Sequence, residues 1–67
     1  MKTYKEAIKK IAITEANLYY GGHMTTTDWD TRHTVAWIFE KTGEQVANDV
    51  KAISTAANEY VRTGKEF

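Results

Sequence analysis

The chain contains no cysteine, no proline and only four glycines among its 67 residues. Without cysteine it can form neither a disulfide framework nor a thiolate zinc site, which commonly stabilise chains of this size. The absence of proline and the scarcity of glycine favour helices. We therefore expect a single all-α domain over residues 1–67 that depends on a small apolar core.

The charges of the chain cancel, with nine basic and nine acidic side chains. This balance removes the overall positive field that is typical of nucleic-acid-binding proteins. No apolar run is long enough to cross a membrane, and the first residues are too charged for a signal peptide. These features predict a cytoplasmic protein without membrane association.

Helix boundaries are indicated by capping signals. Threonine stands three residues before an acidic side chain or glutamine at Thr3, Thr27 and Thr42, and this spacing is typical of a helix N-terminus. Glycines that can end a helix follow the first and third of these segments, at Gly21, Gly22 and Gly64. The pattern predicts a compact three-helix bundle with helices at about residues 4–20, 28–41 and 43–63.

The sequence offers no set of catalytic residues. Ser54 is the only serine, and no histidine occupies a helical neighbour position from which it could activate the hydroxyl. Asp30 and His33 could share a metal ion, but the sequence places no third ligand near them. We therefore predict no enzymatic activity, no metal and no cofactor.

Apolar side chains with helical spacing define one expected core stripe on each helix. The members of these stripes are Tyr4, Ala7, Ile8, Ile11, Leu18 and Tyr19 in the first helix, Thr31, Val35, Ile38 and Phe39 in the second, and Val46, Val50, Ile53, Ala57, Tyr60 and Val61 in the third. Glu15 falls near the centre of the first stripe, where it needs a partner or an outlet to water. We expect it to reach water near the end of its helix.

Two further lines of apolar or aromatic residues lie outside the stripes. They consist of Ile13, Ala16 and Tyr20 in the first helix and Trp29, His33 and Trp37 in the second, with an acidic rim of Asp28, Asp30, Glu40 and Glu44. Such residues are either covered by neighbouring elements or exposed for a partner, and aromatic residues concentrate binding energy at interfaces. We expect this set to bind a larger protein, with the first line as an alternative homodimer contact.

A second alternative is DNA binding through the predicted third helix, whose polar row comprises Asn48, Lys51, Thr55, Asn58 and Arg62. The second and third helices place apolar or small residues where a helix-turn-helix motif needs them, but Asp49 stands where that motif packs inward. Residues 23–44 also carry more acidic than basic side chains. Nucleic acid is therefore the disfavoured partner.

Residues 36–53, AWIFEKTGEQVANDVKAI, resemble a pattern in small orphan accessory proteins of tailed bacteriophages. In these proteins an aromatic-aliphatic helix end is followed by a short capped turn and a Val-x-x-Asp-Val/Leu helix. The resemblance implies an accessory protein that binds a host enzyme or defence complex and inhibits or redirects it. It implies no catalytic residue.

Overall fold

The computed structural model describes residues 3–20 and 29–67, and the side chains of residues 3–18 and 31–67. These residues form four helices: α1 (Tyr4–Tyr20), α2 (Trp29–Ile38), α3 (Gly43–Ala52) and α4 (Ser54–Thr63). The all-helical prediction is confirmed for this part of the chain. The prediction of three helices is wrong, because the segment expected to be one helix over 43–63 is divided at Ile53.

The division at Ile53 has a local cause in the backbone. Ile53 has φ −110° and ψ 8°, and its N–H donates to the Val50 carbonyl at 3.2 Å. The Ser54 hydroxyl donates to the Lys51 carbonyl at 2.9 Å, so a side chain satisfies an acceptor at the end of α3. The segments on the two sides of this break, α3 and α4, both pack against α1.

Two predicted caps and one predicted stop are confirmed. The hydroxyl of Thr3 accepts from the N–H of Glu6, and that of Thr42 accepts from the N–H of Gln45, each at 3.1 Å. Gly64 ends α4 in the left-handed region, with φ 79°. The predicted cap at Thr27 and the glycines at 21 and 22 lie outside the described residues.

The end of α2 comes three residues earlier than predicted. The Lys41 N–H donates to the Ala36 carbonyl at 2.7 Å, and the Glu40 N–H donates to the Trp37 carbonyl at 3.4 Å. Glu40 has φ 57°, in the left-handed region. Together these features form a Schellman motif, which ends a helix and turns the chain. Its left-handed position, usually occupied by glycine, holds a glutamate here.

The turn brings the start of α3 against α2. A Cβ atom added at Gly43 would lie 3.0 Å from Cε1 of His33, so the absence of a side chain at residue 43 permits this close approach. α2 packs mainly on α3, whereas α1 makes its most extensive contact with α4 and also touches α3.

Small side chains form the core. The buried apolar residues among those described are Ala7, Ile8, Ile11, Ala12 and Ala16 of α1, Val35 and Ala36 of α2, Val46 and Val50 of α3, and Ala57 of α4. Phe39, Ile53 and Val61 are partly buried against them, as their predicted stripes require. Thr31, Ile38 and Tyr60 were expected in the core but are exposed. The side chain of Tyr19 lies outside the description.

An ion pair near the end of α1 and a ring contact at its start link this helix to α2 and to the residue that follows α2. Arg32 of α2 forms an ion pair with Glu15, and each of these side chains is less than a fifth exposed. Glu15 thus keeps only partial exposure to water, and α2 supplies a cationic partner that the sequence did not indicate. At the other end of α1, the ring of Tyr4 packs edge-on against Phe39, with centroids 5.7 Å apart. α1 and α2 consequently run in opposite directions.

Candidate interaction surface

The two most exposed large apolar side chains among the described residues are neighbours at the end of α2. Trp37 is 82% exposed and Ile38 is 50% exposed. They line a shallow hollow together with Ala36, Glu40 and Lys41. We call Trp37, Ile38, Glu40 and Lys41 the Trp37 surface.

The helix period explains why the tryptophan faces outward. Val35 and Ala36 point into the core and are at most 4% exposed, so the next two residues of α2 continue around to the solvent side. Phe39 then turns back toward Tyr4. The aromatic ring that this end of α2 contributes to the interior is therefore that of Phe39, and the indole of Trp37 is left outside.

Within the Trp37 surface, the backbone of Glu40 adopts a strained, left-handed conformation. A left-handed conformation costs a residue with a Cβ roughly 1–2 kcal/mol, which glycine avoids. Glu40 also follows the C-terminus of α2 by two residues, where the helix dipole disfavours negative charge. Two unfavourable features at one exposed position are more typical of a binding site than of a position selected only for stability.

Lys41 completes the surface with a positive charge. Its Nζ lies 5.1 Å from the centroid of the Tyr4 ring, within the range of a cation–π interaction. The apolar pair Trp37 and Ile38 is thus bordered by one acidic and one basic side chain, and all four residues are exposed.

The structure brings only part of the predicted partner-binding set to this surface. Trp37 and Glu40 belong to it, and Glu44 is exposed in the first turn of α3. His33 is exposed but lies against Gly43 of the same chain. The remaining members of the α2 group and its rim are Asp28, which lies outside the described residues, and Trp29 and Asp30, whose backbones belong to α2 but whose side chains are outside the description.

Of the predicted contact line on α1, the structure describes the side chains of Ile13 and Ala16, and neither is exposed. Ala16 is 3% exposed, since it follows Ala12 by four residues on the buried face of the helix. Ile13 is half-buried and packs against the core. The side chain of Tyr20 lies outside the description. The placement of Ala16 on a partner-binding or dimer-forming line is therefore wrong.

Sequence reasoning missed the residue that covers part of this region, Phe67. Its ring lies edge-on to Tyr60 with centroids 5.9 Å apart, and Nζ of Lys9 lies 4.7 Å from its centroid. These three side chains border a groove with Ile13 and Glu66. The signal available in the sequence was Gly64. A glycine after a helix commonly adopts the left-handed conformation that turns the chain, as Gly64 does here before Phe67.

The predicted nucleic-acid row is divided between two helices. Asn48 and Lys51 lie on α3, whereas Thr55, Asn58 and Arg62 lie on α4. The five residues therefore do not share one straight helix face, as the prediction of a single third helix required. Asn58 is also half-buried.

Asp49 has a partner that the sequence did not indicate. The Tyr4 hydroxyl donates to Asp49 Oδ2 at 2.5 Å. Burial, together with the hydrogen bond to Asp49 and the negative charge of that carboxylate, raises the pKa of Tyr4 to about 12. The contact allows an acidic residue to occupy the inward position of α3.

The described residues contain no group of three histidine, aspartate or glutamate side chains that could hold a metal ion. None of the described helices has both the length and the apolar character needed to cross a membrane. Comparison of the chain with protein-family profiles, with curated proteins and with solved structures gives no match. The arrangement of side chains is thus the basis for a functional proposal.

Proposed function

We propose that this protein is a small, non-enzymatic interaction module that inserts Trp37 into an apolar pocket of a larger protein. The exposure of Trp37, 82% beside a half-exposed Ile38, is the observation that carries the proposal. Isolated exposed apolar residues are common, but an adjacent tryptophan and isoleucine at one helix end make an anchor of the kind found at interface centres.

The available area is sufficient for an energetic anchor. A tryptophan buries up to about 250 Å², so the exposed part of Trp37 offers about 200 Å² to a partner. At 25 cal/mol per Å², covering it supplies about 5 kcal/mol before the costs of association. Truncation of an interface anchor residue to alanine typically costs about 2 kcal/mol or more of binding free energy, with an upper range of about 4–8 kcal/mol, and the value for Trp37 lies within these limits.

The anchor is also presented with little loss of conformational freedom. The backbone of Trp37 and Ile38 is helical, and the turn after them is fixed by the two Schellman hydrogen bonds. Phe39 is held by the ring of Tyr4. A pre-organised surface binds more tightly than a flexible one because less entropy is lost on association.

We further propose that the partner is a host protein, such as an enzyme or a defence complex, that this chain inhibits or redirects in the host cytoplasm. The resemblance of residues 36–53 to bacteriophage accessory proteins supports this choice. The carboxylates of Glu40 and Glu44, both exposed beside the turn, favour a partner pocket that is bordered by basic side chains.

Affinity capture from bacterial lysate tests the proposal, with wild-type protein, W37A and Y60A compared at low and high salt. Tyr60 is the matched control, since it is an aromatic residue of α4 that is 37% exposed away from the Trp37 surface. We expect one protein complex to be retained by wild type and Y60A and lost by W37A. Equal retention of the complex by wild type, W37A and Y60A would show that Trp37 is not the anchor.

A helix-turn-helix DNA-binding protein is a second candidate, favoured by one specific observation. α2 and α3 are joined by four residues with a left-handed residue among them, as in that motif. Tyr4 satisfies the inward Asp49 that otherwise contradicts the pattern. The charge of α3 argues against this candidate. The helix carries a single basic residue, Lys51, and the acidic Glu44 lies in its first turn, where it would repel a phosphate backbone.

Fluorescence anisotropy with a labelled DNA duplex separates the two candidates. DNA binding predicts an affinity that falls steeply with salt and that K51A weakens. The control K65A changes an exposed lysine outside α3. Our leading proposal predicts no measurable difference between K51A and K65A, and no binding at physiological salt.

A further inference from the structure

We propose that, in the free protein, the Trp37 surface closes on a second copy of itself in a two-fold symmetric dimer. The inference deepens the proposed function, because it concerns the same surface and rests on Trp37 being its anchor. Self-association would cover the docking surface until a larger partner competes for it.

The charges that border the apolar pair are self-complementary. In a two-fold interface each residue i of one copy meets residue j of the other, and j meets i. Glu40 and Lys41 are adjacent, exposed and of opposite sign, so a two-fold axis through the hollow can place each carboxylate beside the other copy's ammonium group. Glu44, the other exposed acid near the turn, does not line the hollow and so stays outside this pairing.

The geometry of the surface also suits a copy. The hollow beside Trp37 is open and is bordered by Ile38 and Lys41, which leaves room for the second indole to lie against the first. Offset or edge-on packing of two tryptophan rings is favourable beyond the area that it buries. The cation–π contact of Lys41 with Tyr4 engages one side of its ammonium group and leaves other donors for a carboxylate.

The small area that the Trp37 surface can bury limits the affinity of the dimer. Two copies of Trp37 contribute about 400 Å², about a third of the ~1,200 Å² at which stable interfaces begin, and the Trp37 surface adds only Ile38, Glu40 and Lys41 from each copy. We therefore expect a weak dimer, with a dissociation constant above the micromolar range. Such an equilibrium is readily displaced by a partner that encloses the whole indole.

Sedimentation equilibrium over a wide concentration range tests the proposal with the intact protein. The mass of wild type should rise from 7.6 kDa toward twice that value, and W37A should stay monomeric. Circular dichroism confirms folding of the variant, since Trp37 is mostly exposed. A constant monomer mass for wild type, or equal association of W37A, would overturn the proposal.

A charge exchange tests the two-fold pairing itself. E40K and K41E each create like-charged neighbours across the axis and should weaken the dimer about fivefold to tenfold, because two rim pairs are lost at once. The double variant E40K/K41E restores opposite charges and should recover most of the association. If the double variant associates no better than the single variants, the two-fold arrangement is wrong.

The lysate capture described above distinguishes failure of the dimer from failure of the proposed function. A monomeric wild type that still retains a protein complex through Trp37 refutes only the dimer. Association that depends on Trp37, in a protein whose captured complex is unaffected by W37A, supports the dimer and refutes docking of a larger partner at this surface.

Discussion

Replacing Glu40 with glycine should stabilise the protein by about 1 kcal/mol, although Glu40 is exposed and lies outside the core. Its φ of 57° places its Cβ in a crowded conformation, and glycine removes that conflict. The gain is smaller than the full roughly 1–2 kcal/mol of strain, because glycine also increases the entropy of the unfolded chain. Removal of a negative charge from the C-terminus of α2 adds a few tenths of a kcal/mol.

Urea unfolding followed by circular dichroism measures this effect. A domain of 67 residues has a free energy of unfolding of about 3–10 kcal/mol, so a gain of about 1 kcal/mol is a large fraction. The thermal midpoint should rise by about 4–8 °C. The slope of the free energy with urea concentration should stay constant, because the surface exposed on unfolding is unchanged.

Two matched variants separate backbone strain from charge. E40A removes the carboxylate but keeps a Cβ, so it should recover only the electrostatic part. E44G makes the same substitution in α3, where glycine should destabilise the helix by about 1 kcal/mol at most. If E40A stabilised the protein as much as E40G, the strain at Glu40 would not be the cause, and our reason for linking this turn to binding would be lost.

The polar contacts of α1 provide two more predictions. The folded-state pKa of Tyr4 is raised to about 12 from 10. The stability that Tyr4 contributes is therefore present below pH 10 and is lost as the pH rises toward 12. Urea unfolding midpoints measured against pH should show this loss in wild type and a smaller loss in Y4F. Y4F should also cost about 1 kcal/mol at neutral pH, since Asp49 loses a hydrogen bond. For the pair of Glu15 and Arg32, a double-mutant cycle with alanine should give a coupling of about 1–2 kcal/mol, and additive single effects would contradict the contact.

The features that the sequence predicted correctly depend on neighbours along the chain. The caps at Thr3 and Thr42 and the stop at Gly64 each join residues three or four apart. The same is true of the alternation of spacings that places Val46 and Val50 in the core. Local hydrogen bonding and helical periodicity are enough to determine them.

The features that the sequence did not reveal depend on residue types in unusual roles or on tertiary contacts. Ile53 fits the apolar stripe of one long helix, so nothing in the pattern marks it as a break. Glu40 occupies a position where the usual signal is glycine, and α2 was therefore extended beyond its end. The partners of Glu15 and Asp49 come from other helices, and spacing along one helix contains no information about them.

The exposure of Trp37 could be predicted only as one of two possibilities. Trp37 and Phe39 are both aromatic residues near the end of the same helix, and either could have filled the space beside Tyr4. Phe39 fills it, because Phe39 follows the buried Val35 by four residues on the same helix face. Whether Trp37 is covered depends on where the other helices lie, and spacing along one helix does not contain that information.

The small side chains of the core have a consequence for how this protein can evolve. The largest fully buried side chains among the described residues are valines, and alanine and valine lose little rotamer entropy when they are buried. Trp37, the most exposed large apolar residue among the described side chains, contributes little to that interior. Substitutions at the end of α2 can therefore alter which protein is recognised while the packing of the helices is retained, so that binding specificity can diverge faster than the fold.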